Sequence, residues 1–535
     1  MTGMDKAGIP GALAPDNQPP ARPAGNLVTQ DVGLCASLGA SAGGLVQLGA
    51  WLDSPEAREM AWEANRFPPE LHLFDRGGRR LDEVRFHPSY HGLLGNGLEA
   101  GYAACAWEGA GDGHQTHAAM VYLFSQVEPG VCCPMTMTYA AFPALEGSSA
   151  AALWQPRLEA RAYEAELKPI AAKGAATLGM AMTEKQGGSD VRANVTRAER
   201  DGEGYRLYGH KWFCSAPMSD GFLTLAQAAG GLTCFLVPRV LPDGSRNRIH
   251  LMRLKEKLGN RANASAEIEY HGAYAERIGE EGEGVRAIIR MVHHTRLDTA
   301  LAPAGLMRAA LTEAHWWCAH RSAFQKLLID APLMRRVLAD LSLDQEAALA
   351  LGMRVARAFD GKSSEEAAFA RIAVAVAKFL NNKRCVNVIY EAMECLGGMG
   401  YTDDTPLPML YREAPLNSIW EGSGNVICLD ILRTLSRDRL AGEVLLAELE
   451  AARGRFAAYD AALDGVVSEL KAGVPEAEAR RFSERLGDLL AACALMVSGP
   501  EALAESYVKR RLSGAGQVAG SVAGLAEEEI LARWV

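Results

Sequence analysis

The feature that most constrains this chain is a change of periodicity that occurs twice. Up to about Ala172, and again from about Gly284, apolar residues recur at the three- and four-residue spacing of an amphipathic helix. Between them lie short alternating runs such as YRLYGHKWF, FLTLAQA, LTCFLVPRV and AEIEYHGAYAERI, separated by Gly, Pro, Asn and Asp. Alternation sends successive side chains to opposite faces, which suits a half-buried strand and not a helix. The expectation is an α+β chain: an N-terminal helical domain over 31–172, a small antiparallel β-domain over 173–284, a four-helix bundle over 285–440 and a helical extension over 441–535. Residues 1–30, rich in Pro, Gly, Ala and Asn, read as a flexible tail.

At 535 residues the chain can bury several cores. Its formal net charge of −10 argues against a generally nucleic-acid-binding surface but leaves room for a local basic patch. Eleven cysteines are scattered without a C-x-x-C pair, which suits buried small side chains in a reducing compartment. No run of about 18 consecutive apolar residues is present, so no membrane span is expected. The N-terminus lacks a basic segment followed by an apolar run, so a cytoplasmic location is the expectation. His114 and His117 could share a helix face but have no evident third ligand, and adjacent His293 and His294 diverge on a helix; no metal is expected. The segment Gly514–Gly520, GAGQVAG, lacks the dinucleotide-binding spacing.

Four segments carry chemistry. PLNSIWEGSGN, Pro415–Asn425, sets one acid, Glu421, between Trp420 and a Gly-Ser-Gly turn. A carboxylate in such surroundings is desolvated, which moves its pKa towards that of a general base. Ser423 and Asn425 can hydrogen-bond a ligand that the glycines let approach. The alternative is a helix-terminal acid in a tight turn. MTEKQGGSD, Met182–Asp190, offers Thr183, Ser189 and the amides around Gly188 to a flat polar ring or a diphosphate, or is a polar linker between domains. HKWFCSAP places Trp212 and Phe213 before Ser215; aromatics in a strand are usually core. CLGGMGY, Cys395–Tyr401, stops a helix with glycines that would admit a phosphate or backbone.

Together these segments resemble the acyl-CoA dehydrogenase family over roughly residues 100–440. Its flavin loop T-E-x-x-x-G-S-D is matched by Thr183, Glu184, Gly188, Ser189 and Asp190. Its strand K-x-W-I-T-N appears as Lys211–Ala216, with Phe213 for the tryptophan beside the flavin and Ser215 for the threonine. Arg321 and Phe324 match R-x-x-F-G, but Gln325 replaces the glycine. Gly397, Gly398 and Gly400 match G-G-x-G, and Glu394 stands where a glutamine is common. The catalytic glutamate maps to Glu421; the alternative position on an earlier helix holds Thr295, which cannot act as a base.

The resemblance implies FAD, held by Met182, Thr183, Gly188, Ser189, Trp212, Phe213, Ser215, Trp420, Ser423 and Asn425. Glu394, Gly397 and Gly398 are implied as further cofactor contacts, and a homotetramer is implied in which Arg321 and Phe324 reach a neighbour's flavin. The implied reaction is α,β-dehydrogenation of a small acyl-CoA.

RFHPSYH, KLGNRANAS, NSIWEGSGN and the long C-terminal extension look like the alkylation-response branch of the family, which implies weak turnover and a possible double-stranded DNA partner. Phosphate neutralisation needs clustered cations. The candidates are Lys509, Arg510 and Arg511, together with Arg433 and Arg437, although the extension itself is slightly acidic.

Overall fold

The computed structural model describes residues 17–514, 516 and 518–534. The N-terminal part contains the helices α1 (Pro55–Arg66), α2 (Gly113–Ser125) and α3 (Cys132–Leu145). It is not purely helical. The strands β1 (Glu70–Phe74) and β2 (Arg80–Arg85) pair antiparallel, and the FDRGGRR segment that reads as a loop forms their turn, with Asp75 accepting from the amides of Gly77 and Arg79.

The flexible-tail expectation fails for residues 17–30. The Arg22 guanidinium sits 2.8 Å from buried Asp53 and 3.1 Å from Glu313, and the amide of Gly25 donates to the same Asp53 carboxylate. Composition hid this because one arginine with two distant acids leaves no local pattern. The rest of the expected tail, residues 1–16, lies outside the described residues, as do residues 515 and 517 of the GAGQVAG segment.

The stretch Val32–Leu52 is by length and composition apolar enough to cross a membrane. It is nevertheless broken: Gly39 takes φ +56° between a first helix, Val32–Leu38, and a 3₁₀ stretch, Gly39–Leu45. Leu34, Leu38, Leu45 and Leu52 are buried in the shared core.

The middle of the chain forms a seven-stranded sheet from β3 (Leu178–Ala181), β4 (Arg197–Asp201), β5 (Gly204–Ser215), β6 (Gly221–Ala228), β7 (Gly231–Pro238), β8 (Ile249–Leu254) and β9 (Ser265–Ile278). The order is β3-β6-β4-β5-β9-β7, and a β6–β7 pairing closes the path on itself. The sheet is mixed rather than purely antiparallel: β3 runs parallel to β6, in register Leu178 with Gly221. A parallel pair needs a long crossover, and here the flavin-loop motif lies within it. β5 carries a bulge between Lys211 and Cys214, at the aromatic pair Trp212–Phe213.

The posterior bundle comprises α4 (Gly284–His320), α5 (Pro332–Asp360), α6 (Ser364–Cys395) and α7 (Gly424–Arg437). The extension supplies α8 (Ala479–Ser498) and α9 (Glu501–Leu512), which pack onto α5, α6 and one another. The joint between α9 and α5 is ionic. Arg510 Nε donates to Asp340 at 2.6 Å and Arg511 Nε to Asp344 at 2.9 Å, all four side chains being nearly inaccessible to solvent. Lys509 donates to the carbonyl of Gly524 at 3.0 Å. Two of the three residues of the best basic cluster, Arg510 and Arg511, are thus turned inward to fasten the extension, and their assignment as DNA contacts is withdrawn; Lys509 alone stays exposed.

Removing one partner of a buried pair strands the other charge, at a cost of about 3–5 kcal/mol. Arg510→Ala should lower stability by that order in denaturant unfolding, whereas Arg439→Ala, at an exposed pair with Glu443, should change it by less than about 1 kcal/mol.

Candidate active site

Glu421 ends the turn that precedes α7, and its backbone is in the left-handed region at φ +57°, followed by Gly422 at +103°. A non-glycine residue held there costs of order 1–2 kcal/mol. Two side chains from the bundle hold the turn. Lys378 Nζ on α6 donates to the carbonyls of Asn417 (3.0 Å) and Gly422 (2.9 Å). Arg296 on α4 donates from Nε to the carbonyl of Glu421 (3.2 Å) while its NH1 pairs with Asp430 (2.7 Å), which Arg371 also holds (2.8 Å). Trp420 Nε1 donates to Asn417 Oδ1 at 2.8 Å, tying the ring to the turn.

The carboxylate itself accepts from Thr295 Oγ1 at 2.7 Å. Thr295 cannot be the base, but it orients the residue that can. Burial pushes the Glu421 pKa above the ordinary carboxylate value; the Thr295 hydroxyl, Lys378 and Arg296 pull it back, and Asp298 pushes it up again. Lys378 is itself lowered to about 7 by burial, against the pull of Glu421. One turn along α4 from Thr295, Asp298 bonds His117 Nε2 at 2.7 Å, and His117 Nδ1 lies 2.7 Å from the carbonyl of Tyr102. Sequence reading missed Lys378 and Asp298, which stand in no recognised motif, and weighed His117 only as a metal ligand beside His114.

The flavin-loop motif is pinned by a residue left out of the candidate contacts. Glu184 pairs with Lys211 at 2.7 Å, both fully buried, and accepts the amides of Val195 and Thr196. Burial alone would raise the Glu184 pKa, but Lys211 and the other donors outweigh it and hold the carboxyl near 2. Trp212 N donates to Thr183 O at 2.7 Å, joining loop to strand. At Gly188 a Cβ would lie 2.4 Å from Thr183 Oγ1, so the close approach requires glycine. Met182 is partly buried, while Ser189 and half of Phe213 face solvent. Trp212 carries Lys255 Nζ 3.5 Å above its ring. Ser215 stands opposite Ser265 on β9.

Of the remaining candidates, Ser423 is exposed and stands at the start of α7, while Asn425 accepts from Arg480 of the extension at 2.9 Å. Arg321 donates to the carbonyl of Asn17 at 2.6 Å, Phe324 is 96% exposed, and Glu394 accepts from Tyr390 at 2.8 Å. Gly397 has φ +60°, and neither it nor Gly398 has an atom within 4 Å of a Cβ position. This second group gathers at the far end of α4, 26 residues from Thr295, or about 39 Å of helix. One chain does not bring it to Glu421. Arg433 and Arg437 lie on α7 across a cleft from Ser189–Arg192.

Residues 17–165 match the model of the adaptive response protein AidB N-terminal domain, 179–273 the acyl-CoA dehydrogenase middle domain and 282–436 its C-terminal domain. AidB of Escherichia coli (strain K12) is 44% identical over 466 residues, covering 85% of this chain and 86% of that protein. The chain belongs to the acyl-CoA dehydrogenase family.

Within that family its N-terminal part is of the AidB type. Caenorhabditis elegans ACDH-11, solved with C11-CoA, superposes with TM-score 0.84 at 28% identity, over 97% of this chain and 96% of that one. The apo form of Bd2924 gives 0.82 at 30% identity, over 91% and 99%. The helical, β and helical order is the fold of this family.

The Thr295 hydroxyl stabilises the charged form of Glu421, so its loss raises the pKa. In Thr295→Val, infrared difference titration of the Glu421 carboxyl should move upward by about one pH unit, the equivalent of one charged hydrogen bond. An unmoved titration would show that the 2.7 Å contact does not persist in solution.

Proposed function

We propose that this chain is an FAD-dependent acyl-CoA dehydrogenase that removes the α-proton of an acyl thioester with Glu421. The observation that carries the reading is the part-buried Glu421 carboxylate, fixed in a left-handed turn and oriented by one hydroxyl. Its raised pKa brings its basicity closer to the pH at which it works.

The residues present fit FAD: Gly188 permits the loop to close on Thr183, Phe213 offers a half-exposed ring, and Ser189 leaves a free hydroxyl beside the cleft of Arg433 and Arg437. When bound, FAD supplies the acceptor for the β-hydrogen as hydride. Met182, Thr183, Gly188, Ser189, Phe213, Ser215 and Trp420 would hold it within one chain. Arg321, Phe324, Glu394, Gly397 and Gly398 would reach it from a second copy in a homotetramer; their distance from Glu421 and the exposure of Phe324 support this arrangement. ACDH-11 with bound C11-CoA supports a CoA thioester as substrate class.

Glu421→Gln should retain flavin and lose exchange of the substrate α-proton with solvent deuterium by at least about a hundredfold. Anaerobic bleaching of the flavin by a panel of acyl-CoAs identifies the chain length; no bleaching by any member would remove the dehydrogenase reading.

A second reading, a DNA-associated role in the alkylation response, is supported by the AidB-type N-terminal match and by Arg433 and Arg437. Neither arginine has an ion pair among the described residues, unlike Arg481 and Arg485, which Glu469 neutralises. Duplex binding by this cleft should weaken with salt, and Arg433→Gln/Arg437→Gln should flatten the salt slope by about two. A slope unaffected by the double substitution would dismiss the cleft as the contact.

A further inference from the structure

A cavity of about 880 Å³ opens between α1, the start of β1, the segment joining β8 to β9, and the second half of α4. It is not the Glu421 site. Its α4 lining begins at Ala309, fourteen residues beyond Thr295, or about 21 Å along the helix, and Glu421, Arg296 and Lys378 do not line it. None of the residues that hold or orient the Glu421 turn lines it.

Its walls have two characters. Trp62, Leu71, Leu254 and Met409 supply an apolar side, with Trp62 half-exposed to the cavity mouth. The loop from Lys257 to Ser265 supplies a polar side. Lys257 Nζ donates to the carbonyl of Asn263 (2.7 Å) and to Ser265 Oγ (3.1 Å) but has no carboxylate partner among the described residues. The acids nearest in charge to it are engaged elsewhere: Glu413 accepts from Asn260, and Glu128 from Asn65 and the amide of Val131. Arg261, exposed at the rim, likewise has no ion pair among the described residues.

Asn263 adds an independent sign. It is 1% exposed and lines the cavity, its amide nitrogen donates to Asn260 Oδ1, and its own Oδ1 is buried without a donor. A buried acceptor left unmade costs about 1–3 kcal/mol, which a ligand hydroxyl or amide N–H would recover. Over the whole lining there are seven Lys and Arg against five Asp and Glu, in a chain whose net charge is −10. The local excess is cationic where the molecule as a whole is anionic.

We propose that this cavity binds an amphipathic carboxylate, a medium-length acyl chain bearing a hydroxyl close to its acid group. The carboxylate meets Lys257 and Arg261, the hydroxyl donates to Asn263 Oδ1, and the chain lies along Trp62, Leu71, Leu254 and Met409. The size is that of an ordinary small-molecule site. An apolar chain alone would leave the Lys257 charge without a carboxylate and Asn263 Oδ1 without a donor, and a cationic amphiphile would be repelled by the same loop.

The test is calorimetric titration of the flavin-loaded protein with 3-hydroxydodecanoate, dodecanoate and dodecyltrimethylammonium, with and without saturating acyl-CoA. The expected result is one site per chain that prefers the hydroxy acid to the plain acid, rejects the cation and persists in the presence of acyl-CoA. Arg261→Gln and Trp62→Ala should each weaken it about tenfold or more, and Asn263→Ala should erase the preference for the hydroxyl; flavin content reports that each variant is folded. Absence of binding at millimolar ligand would overturn the proposal. So would competition by acyl-CoA together with indifference to Arg261→Gln and Trp62→Ala, which would place the ligand in the Glu421 pocket.

Discussion

The site depends on a clamp of buried cations on backbone carbonyls. A left-handed glutamate followed by a glycine of positive φ is a conformation that a free turn abandons, because strain and the desolvated carboxylate both favour release. Lys378 bridges the carbonyls on either side of the turn, and Arg296 takes the carbonyl between them while anchored to Asp430. The cations thus serve twice. They replace the water that the carbonyls lose, and their charge keeps the Glu421 pKa from climbing as far as burial alone would take it. Replacing either by a neutral donor of the same shape would keep the geometry and lose the electrostatics.

A similar arrangement recurs at the flavin loop. Glu184 and Lys211 are both out of reach of water, which is expensive for each charge alone. They persist because the carboxylate also collects two amides and the ammonium collects the carbonyl of Leu225. Buried charge in this chain is therefore used to fix irregular backbone, the one element that apolar packing specifies poorly.

This explains what could be read in the sequence. The helix–strand–helix order was legible because periodicity is local, and Glu421 because its apolar and glycine neighbours are adjacent in the chain. Lys378, Arg296 and Asp430 were not, since each stands on a different helix and pairs with residues 39 to 134 positions away. The triplet Lys509–Arg511 misled for the complementary reason. Clustered cations announce an anion, but the sequence does not say whether that anion is a phosphate outside or Asp340 and Asp344 within. Arg22 in the supposed tail is the same case, its acids lying 31 and 291 residues distant.

The hairpin after α4 shows the limit of the conservative reading. Gln325 replaces the glycine of R-x-x-F-G yet keeps the left-handed backbone, at φ +67°, and Phe324 beside it is at +49° with its ring almost wholly in solvent. Two strained residues and an exposed phenyl ring cost free energy that the described chain does not recover; a simple helix-to-helix connection would avoid all three. Tyr401 and Leu333, also strongly exposed, add apolar surface at other positions of the bundle. Strain of this kind survives where something outside the turn is gained by it. In the proposed homotetramer a second copy of the chain, receiving Phe324 and Arg321 against its own cofactor site, would supply that gain without requiring Gln325 to revert. The glycine of the family pattern is then a matter of lower conformational cost rather than of contact, because its replacement leaves the backbone path, and so the direction of Phe324, unchanged.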